Sequence, residues 1–587
     1  MSKPILLTAS FLLGWILNSK TFILSTMKHT YFKAFIFLSL FLAGCRKGLD
    51  LVPKDSISDI TFWKTGDDFK LAATNLYNSL GGFSVADLDL DSDIAFDVPN
   101  AVSNGTYLAP EKDSRWTDSY IYIRRSNKII EKAAELASAD TEVNRFVGEA
   151  KFFRAYNYWK LFRLFGGVPL ITSVLDIDDE KLYTPRVTRE EIADLIIKDL
   201  SEAAADLPLR STLPGADFGR ITKGAANALK ARVSLFEGTW EKSRGGANAD
   251  AYLNIAIDAA QSVMNSSEYS LFTSMGSQSY RYLFIDEGDG SFEGILDRLY
   301  QVKTHTQGIA PNVSDGHLLP TKKLADMYLC TDGLPITKSS LFQGYNQMQS
   351  EFGDRDPRMS MTMLVPGTLA PRFWYPDPVE AWPFYPQRNV NTGYITYKYL
   401  SENEGSNGSP DNIGYGFSRH IIRYGEVLLI YAEATFEKSG AISDDDLNKS
   451  INLLRQRAGM PALTNSFVST NNLDMRNEIR RERTIELALE GFRYDDLRRW
   501  KTAETELPKA VMGIKIIGTP WVNPIVVEGE DRNPYKDEYW KNRTDANGFI
   551  VTEEASDRSF NPDKHYLLPL PTKEVLINPE LEQNPGW

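Results

Sequence analysis

Four aspartates alternate through Asp87, Asp89, Asp91 and Asp93, the spacing a calcium loop or a set of polyol acceptors would use. The EF-hand pattern is not met, because Ile94 stands where that loop needs Gly and Asn100 where it needs Glu. An exposed loop is the simpler reading. In a strand these acids would share one face and repel, so calcium or a polyol nearby stays open as a partner. The five histidines, His29, His305, His317, His420 and His565, form no close pair and no H-E-x-x-H motif, so no metal site is expected. No Gly-Lys dipeptide, G-x-G-x-x-G or G-x-S-x-G occurs, which removes the usual nucleotide and serine-hydrolase signals, and no cofactor is expected. A glycosidase needs only two carboxylates, and a chain with 78 acidic residues neither excludes nor supports one.

Aromatic chemistry is more concentrated. Residues 372–399 hold nine aromatics in 28, among them Trp374, Tyr375 and Trp382, against 12% in the whole chain. Five prolines from Pro371 to Pro386 stiffen the segment. Sugar rings offer C–H faces that stack on such planes, and rigid Trp and Tyr lose little entropy in forming a platform. Arg372 could stack too, or grip an acidic sugar or a peptide carboxylate with two parallel hydrogen bonds. The alternative is that these rings fill the core of a loop without regular structure.

Cysteine is scarce, with Cys45 and Cys330 alone, so a disulfide framework is ruled out. Residues 1–44 carry four lysines and no acid, and the apolar run Ala34–Ala43 is too short to span a bilayer. It ends Leu42-Ala43-Gly44-Cys45, which resembles a bacterial lipobox whose Cys is lipidated after cleavage. Residues 1–44 therefore read as a signal peptide, with Met27 the expected true start. Diacyl and N-acyl (palmitate-type) chains on Cys45 would give a stable anchor. Arg46 follows, without the Asp that retains lipoproteins at the inner membrane, so the outer membrane is the expected destination. The chain's formal charge of -13 argues against nucleic-acid binding. Cys330 reads as a small buried hydrophobe.

The elements that must position these groups are mostly helical. Tyr158, Leu161, Phe162 and Phe165 form one apolar stripe, and Ala225, Leu229, Val233 and Phe236 another. Helices are predicted near 66–80, 115–137, 142–165, 188–206, 222–238 and 250–265, making a helical-repeat block over 45–265. A second block over 418–501 has helices near 418–438, 445–458 and 475–501. Residues 266–417 form a loop-rich insertion, with seven Pro and six Gly between 365 and 419. Residues 502–587 are irregular, with short strands expected at Ile514–Ile517 and Ile525–Val527. Glu478, Glu482, Glu486 and Glu490 make a like-charge column, for which Glu478–Arg481, Arg483–Glu486 and Glu490–Arg493 are the expected compensating pairs.

Several stretches carry a family pattern. Gly148-Glu149-Ala150-Lys151-Phe152-Phe153-Arg154-Ala155 runs on to Phe165-Gly166-Gly167-Val168-Pro169-Leu170. Later come Tyr424-Gly425-Glu426-Val427, Arg455-Gln456-Arg457-Ala458-Gly459, Glu490-Gly491-Phe492-Arg493-Tyr494-Asp495 and the closing Asn584-Pro585-Gly586-Trp587. Together with the lipobox they resemble the SusD/RagB family of outer-membrane, nutrient-binding lipoproteins. Gly425, where Ala is commoner, and Phe492, where His is, depart from the pattern.

The resemblance implies a mainly α, tetratricopeptide-like scaffold carrying a long irregular insertion and few short strands. It implies a non-catalytic lipoprotein, facing the cell exterior, that captures oligosaccharides and delivers them to a TonB-dependent, SusC-type transporter. Peptide capture, as in the RagB branch, is the alternative; a polysaccharide-degrading surface enzyme is a further one. Because such proteins use a loop after the first helix, Asp93, Asn100, Asn104 and Tyr107 join the aromatic segment as ligand candidates, with Tyr280, Tyr282 and His305 beyond them.

Overall fold

Local sequence starts several of the long helices of the computed structural model. It describes residues 62–136, 141–347, 349–366, 391–401 and 416–587, save 525, 528, 532, 534, 536 and 537. Met1–Lys64 forms one unit and Thr65–Trp587 a second, to which every element named belongs. Helix α1 (Gly66–Leu76) begins in a capping box, in which the Thr65 hydroxyl accepts from the Asp68 N–H and the Asp68 carboxylate accepts from the Thr65 N–H. Helices α2 (Ser114–Leu136) and α3 (Thr141–Phe165) follow, then α4 (Arg189–Asp206) behind the Thr188/Glu191 capping box. Thr222 caps α5 (Lys223–Arg244), and Gly245 closes it with φ +75°, a left-handed position that Gly adopts without steric cost. Helix α6 (Ala249–Met264) completes the first block.

These helices pack in sequence order, α2 on α3, α3 on α4, α4 on α5 and α5 on α6, as repeat scaffolds do. The predicted stripe of α3 is fully buried: Tyr158, Leu161, Phe162 and Phe165 have no exposed surface. Trp116 and Trp500 are buried packing residues, and Cys330 is a buried free thiol.

The insertion contributes α7 (Ile309–Ser314) and α8 (Pro357–Thr362), and the second block contributes α9 (Tyr424–Ser439), α10 (Ile451–Arg457), α11 (Met475–Glu486) and α12 (Arg493–Arg499). Strands are short and paired: β1 (Ala95–Phe96) with β3 (Leu319–Pro320), and β2 (Gly294–Arg298) with β4 (Arg419–Arg423). Nearer the C-terminus β5 (Val511–Lys515) pairs with β8 (Phe549–Glu553), and β6 (Val526–Val527) with β7 (Glu530–Asp531). The β2–β4 ladder ties the insertion to the strand that leads directly into α9. Among the described residues no helix is long and apolar enough to cross a membrane.

Three expectations are corrected. Residues 419–423, predicted as the start of a helix, are strand β4, because β2 supplies them with a partner. The single helix expected over 475–501 breaks between α11 and α12, where Leu489 and Gly491 take φ of +62° and +89°. A Cβ on Gly491 would meet the Asp87 carbonyl, so the break admits the 87–93 loop. That segment, expected as an exposed loop, is two single 3-10 turns, Val85–Asp87 and Asp89–Asp91, with Asp89 and Asp93 buried. The Asp89 carboxylate accepts from the N–H groups of Gly491 (3.2 Å) and Arg493 (2.8 Å).

The acidic column is compensated, but largely by partners distant in sequence. Glu478 holds Arg481 at 2.6 Å as predicted. Arg483 turns instead to Asp496 at 2.9 Å, and Arg493 to Asp93 at 2.7 Å. Glu482 meets Arg358 and Arg455, Glu486 meets Arg358, Arg423 and Arg457, and Glu490 meets Arg423 and Lys398. These carboxylates face the interior, where only charged, hydrogen-bonding partners offset the loss of water. Burial alone would raise the Glu486 carboxyl; the guanidiniums of Arg457, Arg423 and Arg358 instead hold it far below the usual range. Because Arg358 and Lys398 belong to the insertion, this network fastens it to the second helical block.

Candidate functional site

Two features of the insertion present polar or aromatic groups to solvent. Antiparallel pairing of Phe96 with Leu319 brings the chain ends at Asp97 and His317 together. There the His317 Nδ1 lies 3.2 Å from an Asp97 carboxylate oxygen, with the imidazole 40% exposed. Asn391 Nδ2 donates to the Asp97 carbonyl at 3.2 Å. The described residues flanking 367–390 form a stem: the Leu364 N–H donates to the Ile395 carbonyl at 2.9 Å, and the Tyr397 N–H to that of Thr362 at 2.7 Å.

The second feature is a tight turn in which the N–H groups of Gln301 and His305 donate to one another's carbonyls, at 2.8 and 3.0 Å. It stacks the Tyr300 and His305 rings 4.9 Å apart, within 6° of parallel. His305 is exposed and Tyr300 half-buried. A stacked ring pair at the surface is a flat, preorganised platform on which another ring can lie.

The other predicted site residues fall differently. Asp93, Asn104 and Tyr280 are buried, at 9, 7 and 1% exposure. Their partners are internal: Asp93 pairs with Arg493, Asn104 Nδ2 donates to Glu553 at 2.9 Å, and the Tyr280 hydroxyl donates to the Glu486 carbonyl at 3.0 Å. These three side chains are held inside the scaffold by the bonds just named. Asn100 donates to Asp91 at 3.0 Å while its Oδ1 accepts from the N–H groups of Val102 and Ser103, so it shapes its own loop. Tyr107 is half-buried, accepts from Arg115 and meets Trp587 edge to face. Tyr282 is half-buried against the core. Arg372, Trp374, Tyr375, Trp382 and Cys45 lie outside the described residues. Sequence reasoning missed Tyr300, Asp97 and Asn391 as site residues; a Tyr and a His flanking a four-residue turn was the one local signal.

Burial pushes Asp89 and Glu351 up to about 7, the range of a general acid. Both are buried, and Glu351 accepts from the Tyr394 hydroxyl at 2.9 Å, whereas Asp289, pushed up to about 6, lies at the surface and accepts from the Ser418 N–H at 2.8 Å. Among the described residues no group of three or more His, Cys, Asp or Glu side chains could hold a metal ion.

Comparison with known proteins agrees with this architecture. Residues 300–587 match the model of the SusD family, and residues 101–235 match one described as starch-binding associating with outer membrane. A SusD-like protein P38 of Formosa agariphila is 25% identical over 531 residues, covering 83% of this chain and 94% of the relative. The starch-binding protein SusD of Bacteroides thetaiotaomicron is 30% identical over 175 residues, 29% of this chain and 28% of that one. A crystal structure of a SusD-like carbohydrate binding protein from Bacteroides fragilis superposes with a TM-score of 0.70 at 25% identity, covering 89% of this chain and all of the other. A laminarin binding SusD-like protein shares the fold, with a TM-score of 0.55 at 19% identity over 89% of this chain and 99% of that one. Matched in both helical blocks and superposed along most of its length, the chain belongs to the SusD/RagB family.

Proposed function

We propose that this protein is a non-catalytic lipoprotein of the outer-membrane surface that captures oligosaccharides and hands them to a TonB-dependent, SusC-type transporter. The exposed Tyr300–His305 stack on a SusD/RagB scaffold is the observation that carries the reading. A pyranose laid on these rings buries its C–H face, while its hydroxyls seek polar groups of the kind Asp97, His317 and Asn391 provide. Carbohydrate binding in the similar Bacteroides fragilis protein and starch binding in the Bacteroides thetaiotaomicron relative support the ligand class. The lipobox-like Leu42-Ala43-Gly44-Cys45 supports the anchor, and the family supports the transporter.

Isothermal titration of the mature protein against a panel of starch-derived and β-glucan oligosaccharides tests the capture step. Saturable binding without release of reducing ends is expected. Hydrolysis abolished by substituting one carboxylate would overturn the non-catalytic reading, and absence of binding to every glycan would overturn the ligand class. The transporter step is tested by pull-down from outer membranes, where recovery without any TonB-dependent barrel would refute it.

A further inference from the structure

A cavity of about 230 Å³ lies between α3, α5, the 81–91 loop, β4 and the turn into α12. None of Tyr300, His305, Asp97, His317 or Asn391 lines it. Its wall carries seven cations, among them Lys160, Arg163, Arg232, Arg419 and Arg483, against the five carboxylates of Asp87, Asp91, Glu490, Asp495 and Asp496. Four of these have counter-ions: Arg163 meets Asp495 at 3.0 Å, Arg232 is held by both oxygens of Glu426 at 2.7 and 2.6 Å, Arg419 reaches Asp87 at 3.5 Å, and Arg483 meets Asp496 at 2.9 Å and Glu433 at 3.9 Å.

Two are left short of acceptors. Lys160 forms no ion pair among the described residues, and its ammonium makes one long hydrogen bond, 3.4 Å, to the Ser79 carbonyl. Burial lowers the pKa of this amine and the like charge of Arg163 lowers it further, outweighing the opposing pull of Asp118 and Asp87. Arg483, 3% exposed, places Nε on Asp496, yet its Nη1 is buried with no hydrogen-bond partner among the described residues. The Phe492 ring, also in the wall, sits 5.1 Å from the Arg232 guanidinium and 5.5 Å from that of Arg483. A buried N–H donor without an acceptor is costly, and an oxyanion is a partner that answers both the open donor of Arg483 and the unpaired ammonium of Lys160.

We propose that this cavity binds a small oxyanion, a sulfate, phosphate or carboxylate group, with Lys160 and Arg483 Nη1 among its ligands. Such a group can arrive as a free inorganic ion or as the acidic substituent of a sugar. The site is independent of the glycan platform, and either can fail without the other.

The test is calorimetry and thermal melting of the mature protein with sodium sulfate, sodium phosphate, glucuronate and glucose. Chloride brings every sample to one ionic strength, because screening alone changes charge effects at these distances. Saturable binding of an anion, with a melting point that rises as its concentration passes Kd, is the expected result. Tighter binding of glucuronate than of the inorganic ions, with none of glucose, would identify the sugar source; the reverse order would identify the free ion. Lys160→Met should weaken the anion at least tenfold and leave neutral-glycan binding unchanged, while Lys160→Arg should retain most of the affinity. Failure of every anion to bind beyond chloride, or wild-type anion affinity in a folded Lys160→Met protein, would overturn the proposal.

Discussion

Asp93 and Arg493, 400 positions apart, form a two-pronged ion pair, Nε to Oδ1 at 2.7 Å and Nη2 to Oδ2 at 2.8 Å. The pair clamps the loop after α1 onto the first turn of α12. Burial pushes the Asp93 carboxyl up, but Arg493 outweighs it and holds the group below its ordinary value. Its contribution to stability is therefore present above the unfolded carboxylate pKa and lost as pH falls through the folded one. Asp93→Ala, which strands a buried guanidinium, should cost about 3–5 kcal/mol in urea unfolding at pH 7. A paired Asp93→Leu, Arg493→Met variant should recover much of that loss, as a purely apolar contact replaces the charges.

His420 makes the opposite pH prediction. Burial would lower its imidazole, but Asp297, 2.7 Å from Nδ1, raises it to about 9 against an ordinary 6.5. The stabilisation is full below about pH 6.5 and disappears as pH rises through 9, a change of about 3 kcal/mol. Urea midpoints of wild type and Asp297→Asn between pH 6 and 10 should converge at the alkaline end, and parallel curves would show that the pair has no such role.

Gly425 is held by packing. A methyl there would collide with the Arg423 guanidinium and stand 3.2 Å from Glu293 and 3.3 Å from Glu486. Gly425→Ala, although it brings the chain nearer the family pattern, should destabilise by about 1–3 kcal/mol, measured as a lowered unfolding midpoint.

For the platform, His305→Ala should weaken oligosaccharide binding three- to tenfold, matching about 0.5–1.5 kcal/mol for a lost ring contact. Because His305 is exposed, the melting temperature should stay within experimental error of wild type. Equal affinity in calorimetry would move the binding site elsewhere.

Cys45→Ser should shift the protein from the outer-membrane fraction to the soluble one, since acyl chains are what would hold it. Fractionation followed by immunoblotting reads the outcome, and retention of the variant would show another means of attachment.

Much of the scaffold was legible because helix formation is local. The stripes of α3 and α5 repeat every three to four residues, and Thr188 with Glu191 announces the start of α4 within one turn. The short apolar run ending at Cys45 and the family stretches were likewise contiguous. By itself, then, the sequence determined the helical elements, the expected anchor and the family resemblance.

Tertiary structure decided which charges meet and which groups remain free. The i,i+3 rule chose the right partner for Glu478 but the wrong ones for Glu486 and Glu490, whose guanidiniums come from Arg358, Arg423 and Arg457. Asp93 and Tyr280 looked available and proved to be bonded inside, while Tyr300 meets His305 only because the turn lays the two rings together. The physical reason is range: helical periodicity is written within one turn, whereas burial and ion pairing are set by segments that meet after dozens or hundreds of intervening residues.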